Sequence, residues 1–446
     1  YLVRGIVDET IAALAQVDPP HLSVVGRTPS AAASREGSAA EVGRALDADY
    51  LLEGSVRADA GRLRMTVQLI RVRDLATRWV ASFDRERGGL LGLERELARA
   101  VAEQVRLRLT PARDEAVARR QTRNPAAYDL YLRGRHAVAQ RTPPTVLEGI
   151  RSFEAAIAAD PDYALAWAEI ADAYSGLPIN SDFPPLEAWQ RSREAAARAV
   201  AIRPDLAETQ VSLGRIGFFD RDWATAESAL RRALEIDPDQ AEAHLMLGHL
   251  LSQTGRQTEA LAESAKARSL DPLAPILHAL SAQIAFQARD FEGALGHARQ
   301  ALILAPGFWI GLMQEGQTLE QLGEPQPALE ALEHAIRLSG ANSKPVSLSG
   351  YVLARSGRTE AARAVLARLE ETSRTRFVPP YALALVHAGL GETSAALDWL
   401  ERAERVRDVH LVFLPVDPKW DPLRDDPRFV ALLERCGLAG EPAALD

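Results

Sequence analysis

The apolar positions of the first 110 residues change their spacing several times, which predicts a small domain that mixes helices and strands. Helical spacing, with apolar residues three or four apart, is found in residues 2–15, 38–46 and 91–109. Strand-like runs occupy residues 22–25, 50–56, 62–72 and 79–83. The run at 62–72 is the clearest, because Leu63, Met65, Val67 and Leu69 alternate with polar residues. The predicted order for residues 1–110 is therefore α-β-α-β-β-β-α.

A different pattern runs through residues 205–405, where four columns of residues recur every 34 positions. The first column is alanine throughout: Ala226, Ala260, Ala294, Ala328, Ala362 and Ala396. Small or apolar residues follow seven positions later: Ala233, Ala267, Ala301, Ala335, Leu369 and Ala403. A third column stops a helix: Pro204, Pro238, Pro272, Pro306 and Gly340. The fourth is again small: Gly214, Gly248, Ala282, Gly316, Gly350 and Ala384.

These columns predict repeated pairs of antiparallel helices. Small residues are required where two helices approach closely, because larger side chains would push the backbones apart. Proline ends the second helix of each pair, since it lacks the backbone N–H that a continuing helix needs. Short turns such as 254–256 and 356–358 join the two helices, and their glycines can take the left-handed cap conformation. Self-similarity at a fixed period takes precedence over any local assignment.

A 34-residue helix–turn–helix unit of this kind resembles the tetratricopeptide repeat (TPR). Trp167, Ile170, Ala171 and Tyr174 have the W-x2-L-G-x2-Y spacing of that family. The resemblance implies a mainly α fold, a TPR superhelix of about eight helix pairs over residues 127–405. The first repeat, at 127–161, is irregular, and an insertion at 175–185 is expected to lengthen the internal turn of the second.

The N-terminal part resembles the small α/β domain that precedes TPR arrays in bacterial winged-helix regulators, Ser/Thr kinases and class III cyclases. The likeness rests on residues 24–28 and 45–56, together with Leu69 and Trp79. In that family a strand ending in Pro-Phe comes before the first helix. This chain opens at Tyr1 without it, so we expect a domain cut inside its boundaries. The sheet edge beside residues 22–25 would then be exposed, which also predicts self-association through that edge.

Two segments flank the repeats. Residues 111–126 follow Pro111 and are rich in Arg and Glu, which predicts a linker. Residues 406–446 leave the 34-residue phase, and their apolar positions, among them Phe413, Phe429 and Leu432, predict a segment that covers the open end of the last repeat.

Charge and composition narrow the functional classes. The chain has a net charge of −9, and residues 1–110 contribute 16 Arg against 15 acidic residues, a net charge of +1, so residues 111–446 carry a net charge of −10. An acidic superhelix lacks the basic stripe that nucleic-acid binding requires. The sequence has no apolar run long enough for a membrane span. The expected location is a cytoplasmic or extracytoplasmic part of a membrane-linked bacterial protein, and the sequence does not choose between them.

Catalytic chemistry is not predicted. No nucleophile elbow, phosphate loop or dinucleotide motif is present. The nine histidines lack metal-site spacing, and the single cysteine, Cys436, has no partner for a disulfide. We therefore expect no enzyme activity, no cofactor and no metal in this chain, although an effector domain outside it could be enzymatic.

The remaining candidate site is a surface. In TPR arrays the first helix of each pair lines a concave groove, and long polar side chains between aromatic residues there suit an extended peptide. The predicted groove residues are Arg215, Phe218, Leu245, His249, Gln283, Phe286, Met313, Gln317, Gln321 and Tyr351. The same columns also fit a solvent-exposed face of packed helices with no binding role, an alternative that the sequence leaves open.

Two functions are consistent with this sequence. The first is a non-catalytic module of a larger signalling or transcription-regulatory protein that binds a protein or peptide partner in the groove. The alternative is a small-ligand sensor that uses the cleft between the α/β domain and the first repeats. In that case the Pro-rich insertion at 178–185 would act as the lid of the cleft.

Overall fold

The computed structural model describes residues 2–15, 22, 24, 41, 43, 48–59, 62–86, 92–105 and 121–438. The N-terminal part contains helix α1 (Leu2–Ala15), strands β1 (Tyr50–Asp59), β2 (Arg62–Arg71) and β3 (Ala76–Glu86), and helix α2 (Leu93–Gln104). The strands form an antiparallel sheet in the order β1-β2-β3. A small α/β unit therefore precedes the repeats, as predicted.

The alternation in β2 puts one face of the sheet into a core. Leu63, Met65, Val67 and Leu69 are all buried, whereas the polar residues between them are more exposed. Three of these core residues, Leu63, Met65 and Val67, pack in one cluster with Ile6 of α1 and Leu97 of α2. Within the described residues the sheet has no fourth strand. Leu22 and Val24 belong to no strand, and the rest of the predicted run at 22–25 lies outside the described residues.

Other N-terminal predictions also lie largely outside the described residues. Of the predicted helix at 38–46 only Glu41 and Gly43 are described, both as helical. Residues 60–61, between β1 and β2, and residues 111–120 of the predicted linker at 111–126 are not described either. The predicted domain bounds and the predicted self-association through the sheet edge therefore stay predictions.

Helix α1 also joins the N-terminal unit to the repeats. Glu9, which is 1% exposed, accepts hydrogen bonds from the Arg135 guanidinium at 2.9 Å and the Tyr131 hydroxyl at 3.3 Å. Gly5 allows the close approach, because a Cβ there would lie 2.7 Å from the Leu132 Cδ2 atom. The contact buries a carboxylate together with its partners, which orients the unit against the first repeat.

Eight helix pairs follow, which confirms the predicted number. Repeats 1 to 4 are α3 (Pro125–Val138) with α4 (Pro143–Ala159), α5 (Ala164–Asn180) with α6 (Pro185–Ile202), α7 (Ala207–Asp220) with α8 (Trp223–Ile236), and α9 (Ala241–Gln253) with α10 (Gln257–Leu270). Repeats 5 to 8 are α11 (Pro275–Gln287) with α12 (Phe291–Leu304), α13 (Trp309–Gln321) with α14 (Pro325–Leu338), α15 (Ser343–Arg355) with α16 (Thr359–Ser373), and α17 (Pro380–Gly389) with α18 (Thr393–Arg405).

The small-residue columns lie at the contacts between helices. All six alanines of the first column are 0% exposed. In the glycine column a Cβ on Gly214 would lie 2.6 Å from the Leu230 Cγ atom, and one on Gly316 would lie 2.6 Å from the Leu332 Cγ atom. The turn glycines Gly255 and Gly357 have φ values of 81° and 77°, the left-handed conformation expected of them. The columns therefore hold small residues because the backbones of neighbouring helices approach closely at these positions.

The insertion in repeat 2 was wrongly predicted as a lengthened turn. Helix α5 continues through Pro178 to Asn180, so most of the extra residues are helical. The buried Leu177 and Ser175 explain this, since burial of their side chains offsets the backbone hydrogen bond that Pro178 cannot donate. Only residues 181–184 connect α5 to α6.

After repeat 8 the chain forms two 3-10 helices, Val409–Phe413 and Pro418–Leu423, and helix α19 (Pro427–Arg435). Helix α19 lies on α18, where the Arg428 guanidinium pairs with Asp398 at 2.7 Å and Glu401 at 3.0 Å. Among the described residues, none of the helices combines the length and the apolar character needed to cross a bilayer.

The alanine column provides a test of this packing. Ala294 lies in one buried cluster with Ala285 and Phe286, so Ala294→Leu should overpack it and lower the free energy of unfolding by about 1–3 kcal/mol. Gly296→Ala on the same helix is the control, because its new Cβ would meet nothing within 4 Å. Denaturant unfolding measures both variants. Equal stability of Ala294→Leu and the parent would contradict the column assignment.

Candidate functional site

The ten predicted groove residues all lie on the first helices of repeats 3 to 7, so they follow one concave surface. Most of these side chains are covered in the structure. Three residues are only partly buried: Arg215, Gln283 and Gln321. The other seven are buried: Phe218, Leu245, His249, Phe286, Met313, Gln317 and Tyr351. The cause is residues 409–423, called here the C-terminal segment, which runs along the concave surface.

The start of the C-terminal segment lies against the early repeats. Val412 and Phe413 share a buried cluster with the predicted groove residues Phe218 and Leu245. Val409 belongs to the core of repeats 1 and 2. The segment therefore reaches far beyond the last repeat, which was the only part of the array that we expected it to cover.

Lys419 is the centre of the next set of contacts. Its ammonium group donates to the Gln317 Oε1 atom at 3.0 Å and pairs with the Asp417 Oδ2 atom at 2.9 Å. The same Nζ atom lies 4.5 Å from the ring centroid of Phe286. Two predicted groove residues, an amide and an aromatic ring, thus bind one side chain of the segment, and the buried charge has a carboxylate partner.

The end of the segment is fixed by Trp420. This side chain is fully buried, and its indole N–H donates to the Tyr381 hydroxyl at 2.9 Å. The two rings pack in a T-shaped arrangement with centroids 5.3 Å apart. At the rim, Asp421 accepts two hydrogen bonds from the Arg289 guanidinium, at 2.7 and 2.8 Å. The segment is thus held by an aromatic anchor and a bidentate ion pair.

Repeats 2 and 7, which are far apart in sequence, also contact each other directly. Asn342 Nδ2, at the start of α15, donates to the Asn180 carbonyl oxygen at 3.1 Å. Asp182 accepts from the Ser343 backbone N–H at 3.2 Å and pairs with Arg376 at 3.2 Å. The tip of the insertion therefore contacts repeat 7 and does not cover the junction with the N-terminal unit. The prediction of a lid is wrong, because the polar groups of the insertion bind residues of repeat 7 instead.

His249 is a buried titratable group among the predicted groove residues. It is 6% exposed, and its Nε2 atom has no hydrogen-bond partner among the described residues. Burial lowers the His249 pKa to about 4, and the positive charges of Arg215 and Lys344 act in the same direction. Arg215 itself lies between Asp172, at 3.2 Å, and Glu242. His249 is therefore held in its neutral form.

A separate cavity lies at the junction that the sequence singled out. It has a volume of about 230 Å³, and its walls include Ile11 and Val24 as well as Tyr131, Glu169 and Asp172. Burial raises the pKa of Glu169 to about 7, against the opposing charge of Arg135. Burial likewise raises the pKa of Asp172 to about 6. The cleft predicted between the two parts of the chain therefore exists, and carboxyl groups line it.

Four residues of this contact were not among the predicted site residues: Lys344 on α15, and Lys419, Trp420 and Asp421 in the segment itself. A signal was present, because only three of the 52 basic residues are lysine and two of them are Lys344 and Lys419. Apart from Asp417, which pairs with Lys419, their partners lie far away in sequence, as with Gln317 and Lys419, which are 102 residues apart. No local pattern could pair them.

Comparison with known proteins gives the following matches. Sequence models of the tetratricopeptide repeat match residues 220–284 and 311–342. A curated protein of Rhizobium meliloti (strain 1021), named "Putative adenylate cyclase 3", is 30% identical over 172 residues, which is 38% of this chain and 29% of that protein. The chain thus matches less than a third of the length of this relative.

Two solved structures have a similar arrangement of helices. The APC/C hetero-tetramer Cut9-Hcn1 has a TM-score of 0.48 and 14% identity, and the alignment covers 77% of this chain and 63% of that one. The type IV pilus biogenesis factor PilW has a TM-score of 0.38 and 18% identity, and its alignment covers 46% and 94%.

The neutral state of His249 predicts a pH dependence. Burial lowers the His249 pKa from 6.5 to about 4 in the folded chain, so the unfolded chain binds this proton first and the free energy of unfolding falls as the pH drops from 6.5 towards 4. Measured from pH 7.5 to 4, the parent should lose about 3 kcal/mol more of its unfolding free energy than His249→Leu does.

The control for this experiment is His334→Gln, on the exposed side of α14, which reports the effect of losing a histidine as such. Parallel curves for the parent and His249→Leu over the whole range would contradict a buried neutral His249.

Proposed function

We propose that this chain, which is a tetratricopeptide-repeat protein, is a protein-interaction and regulatory module of a larger bacterial signalling protein. Its concave surface receives an extended segment of a partner, and the C-terminal segment occupies the same surface when no partner is bound. One observation carries the proposal. The side chains predicted to bind a peptide already hold a peptide-like stretch of this chain.

The contacts of the C-terminal segment define what a partner must offer. An apolar pair, Val412 and Phe413, lies among the apolar groove residues, and a lysine six positions after Phe413 reaches Phe286 and Gln317. A buried tryptophan follows it directly. A few buried anchors of this kind supply most of the affinity in peptide recognition. The partner segment that fits best is therefore apolar at one end and carries a cation next to an aromatic residue at the other.

Competition explains how such a surface can be regulated. A segment joined to its own binding site acts at an effective concentration on the order of millimolar. A partner with the same contacts would bind weakly while the segment stays in place. Release of the segment, or a partner with additional contacts, would raise the apparent affinity. The segment thus sets a threshold for partner binding.

The signalling context rests on the match to the protein named "Putative adenylate cyclase 3". This relative extends far beyond the matched residues, so a cyclase or other effector domain linked to this chain is part of the proposal. A module without catalytic residues would then control an effector through partner binding. The complete reading frame decides this point: an effector domain in it supports the proposal, and repeats alone contradict it.

The cavity at the junction favours a second candidate function, the sensing of a small ligand. Its volume of about 230 Å³ suits a metabolite, and its carboxyl groups favour a ligand with a positive charge. Thermal-shift measurements with small amines test this function, with Glu169→Gln as the altered site and the exposed Glu330→Gln as control. Equal shifts in all three proteins, or none in any, would contradict it.

The peptide-binding proposal predicts the behaviour of a weakened segment. A labelled peptide with the sequence of residues 409–423, titrated by fluorescence anisotropy, should bind a Phe413→Ala/Lys419→Ala variant at least tenfold more tightly than the parent. The reason is that the variant's own segment no longer competes for the surface. Adding Phe286→Ala and Met313→Ala to the variant should cost about 2–4 kcal/mol of peptide binding, because both anchors are lost.

The matched control is Arg435→Ala, which removes an ion pair with Glu404 outside the C-terminal segment. It should bind the peptide as weakly as the parent does. If the peptide fails to bind the weakened variant, or if the loss of Phe286 and Met313 leaves its binding unchanged, the concave surface is not a peptide site.

A further inference from the structure

The C-terminal segment does not fill the concave surface completely. A cavity of about 50 Å³ remains between the segment and the first helices of repeats 5 to 8. This exceeds the space that a single water molecule requires, which is about 10–15 Å³ on the same measure. Lys344 and Gln283 contribute polar groups to its wall, and Leu348, Ala382 and Leu385 contribute an apolar part. The cavity is therefore amphipathic and of the size of a very small molecule.

The ammonium group of Lys344 is what makes this cavity unusual. Within the described residues it has no carboxylate partner and no hydrogen-bond acceptor, and its Nζ atom lies 5.9 Å from the ring centroid of Phe413. Lys419, the other lysine of the cavity wall, is fully engaged with Asp417, Gln317 and Phe286. Burial lowers the Lys344 pKa to about 8, and the charge of Lys419 adds to this effect, while the more distant carboxylates of Asp408 and Asp417 oppose it. A positively charged ammonium group that is removed from water and has no direct partner favours the binding of an anion beside it.

A second polar group of the cavity wall also lacks a partner. His410 is 4% exposed, and its Nδ1 atom pairs with the Asp408 Oδ1 atom at 2.8 Å. Its Nε2 atom is buried and has no hydrogen-bond partner among the described residues. Since Asp408 favours the proton on Nδ1, Nε2 is free to accept a hydrogen bond from a hydroxyl group.

The choice of lysine adds to the argument. Arginine supplies nearly all of the 52 basic residues of this chain, yet both basic residues at this cavity are lysine. A lysine ammonium is compact and binds as a point charge, whereas the planar guanidinium of arginine would occupy much more of the space. The third lysine, Lys266, is half-exposed on α10 and lies 3.6 Å from Asp239.

We propose that this cavity binds a short-chain monocarboxylate, with its carboxylate on the Lys344 ammonium and its alkyl end against Leu348, Ala382 and Leu385. A hydroxyl group on the same chain would have an acceptor in His410. The walls come from both the repeats and the C-terminal segment, so the bound acid favours the state in which the segment is in place. This site goes beyond the peptide-binding proposal and does not depend on it.

Isothermal titration with sodium propionate and sodium lactate tests the proposal on the full chain, with propionamide as the neutral analogue and sodium chloride at equal ionic strength. Propionate should bind saturably and propionamide should not. Lys344→Met should weaken propionate binding at least tenfold, and the matched control Lys266→Met should leave it unchanged. Tighter binding of lactate than of propionate would support the role of His410, and equal binding would restrict the site to the carboxylate and alkyl chain.

A series of acids tests the size of the site without any substitution. Acetate, propionate and butyrate should bind, and hexanoate should bind at least tenfold more weakly, because the cavity cannot hold its chain. Absence of saturable binding by any acid, equal binding by parent and Lys344→Met, or binding of hexanoate as tight as that of propionate would each overturn the proposal. Circular dichroism checks that Lys344→Met is folded, and Ala382→Leu, which fills the apolar end, should reduce butyrate binding more than acetate binding.

Discussion

A curved stack of helix pairs buries apolar side chains between neighbouring repeats, but its inner surface has no further repeat to pack against. In this chain the inner surface carries Phe218, Leu245, Phe286 and Met313, which would all be costly to leave in water. In the C-terminal segment, Val412 and Phe413 share a cluster with Phe218 and Leu245, Trp420 shares one with Met313, and Lys419 lies over the Phe286 ring. The burial of the concave residues and the small remaining cavity follow from this one contact. The proposed competition with a partner depends on it as well.

Charge makes the contact specific. Apolar burial alone would tolerate several positions of the segment, whereas the Lys419 ammonium group meets the Gln317 amide and the Phe286 ring only in this one. Its carboxylate partner, Asp417, belongs to the segment itself. Taking an ammonium group out of water is costly unless it is paired and hydrogen-bonded, so displaced arrangements of the segment are penalised. The ion pair between Arg289 and Asp421 fixes the same register at the rim. We infer that a true partner must satisfy these polar groups as well as the apolar ones.

The sequence predicted the repeats and some of the residues that contact the C-terminal segment. Spacing alone was sufficient for the helix pairs, because Ala294 and its equivalents are buried by contacts within and between neighbouring repeats. It also placed Gln317 and Phe286 on the inner helices. The covering segment was not predictable in the same way, since Lys419 meets residues more than 100 positions earlier. The prediction of a longer turn around Pro178 was wrong for another reason. Proline tends to end a helix, but here the burial of Leu177 outweighs that tendency.

The proposals for the concave surface all require that residues 409–423 lie on it as part of the fold. Hydrogen exchange followed by mass spectrometry can test this on peptides that cover the segment and helix α17. The segment's own backbone hydrogen bonds are those of two short 3-10 helices and their turns, which would exchange quickly in water, so slow exchange would report burial between the repeats. Its protected amides should exchange as slowly as those of α17. Exchange of the whole segment within seconds, while α17 stays protected, would contradict it.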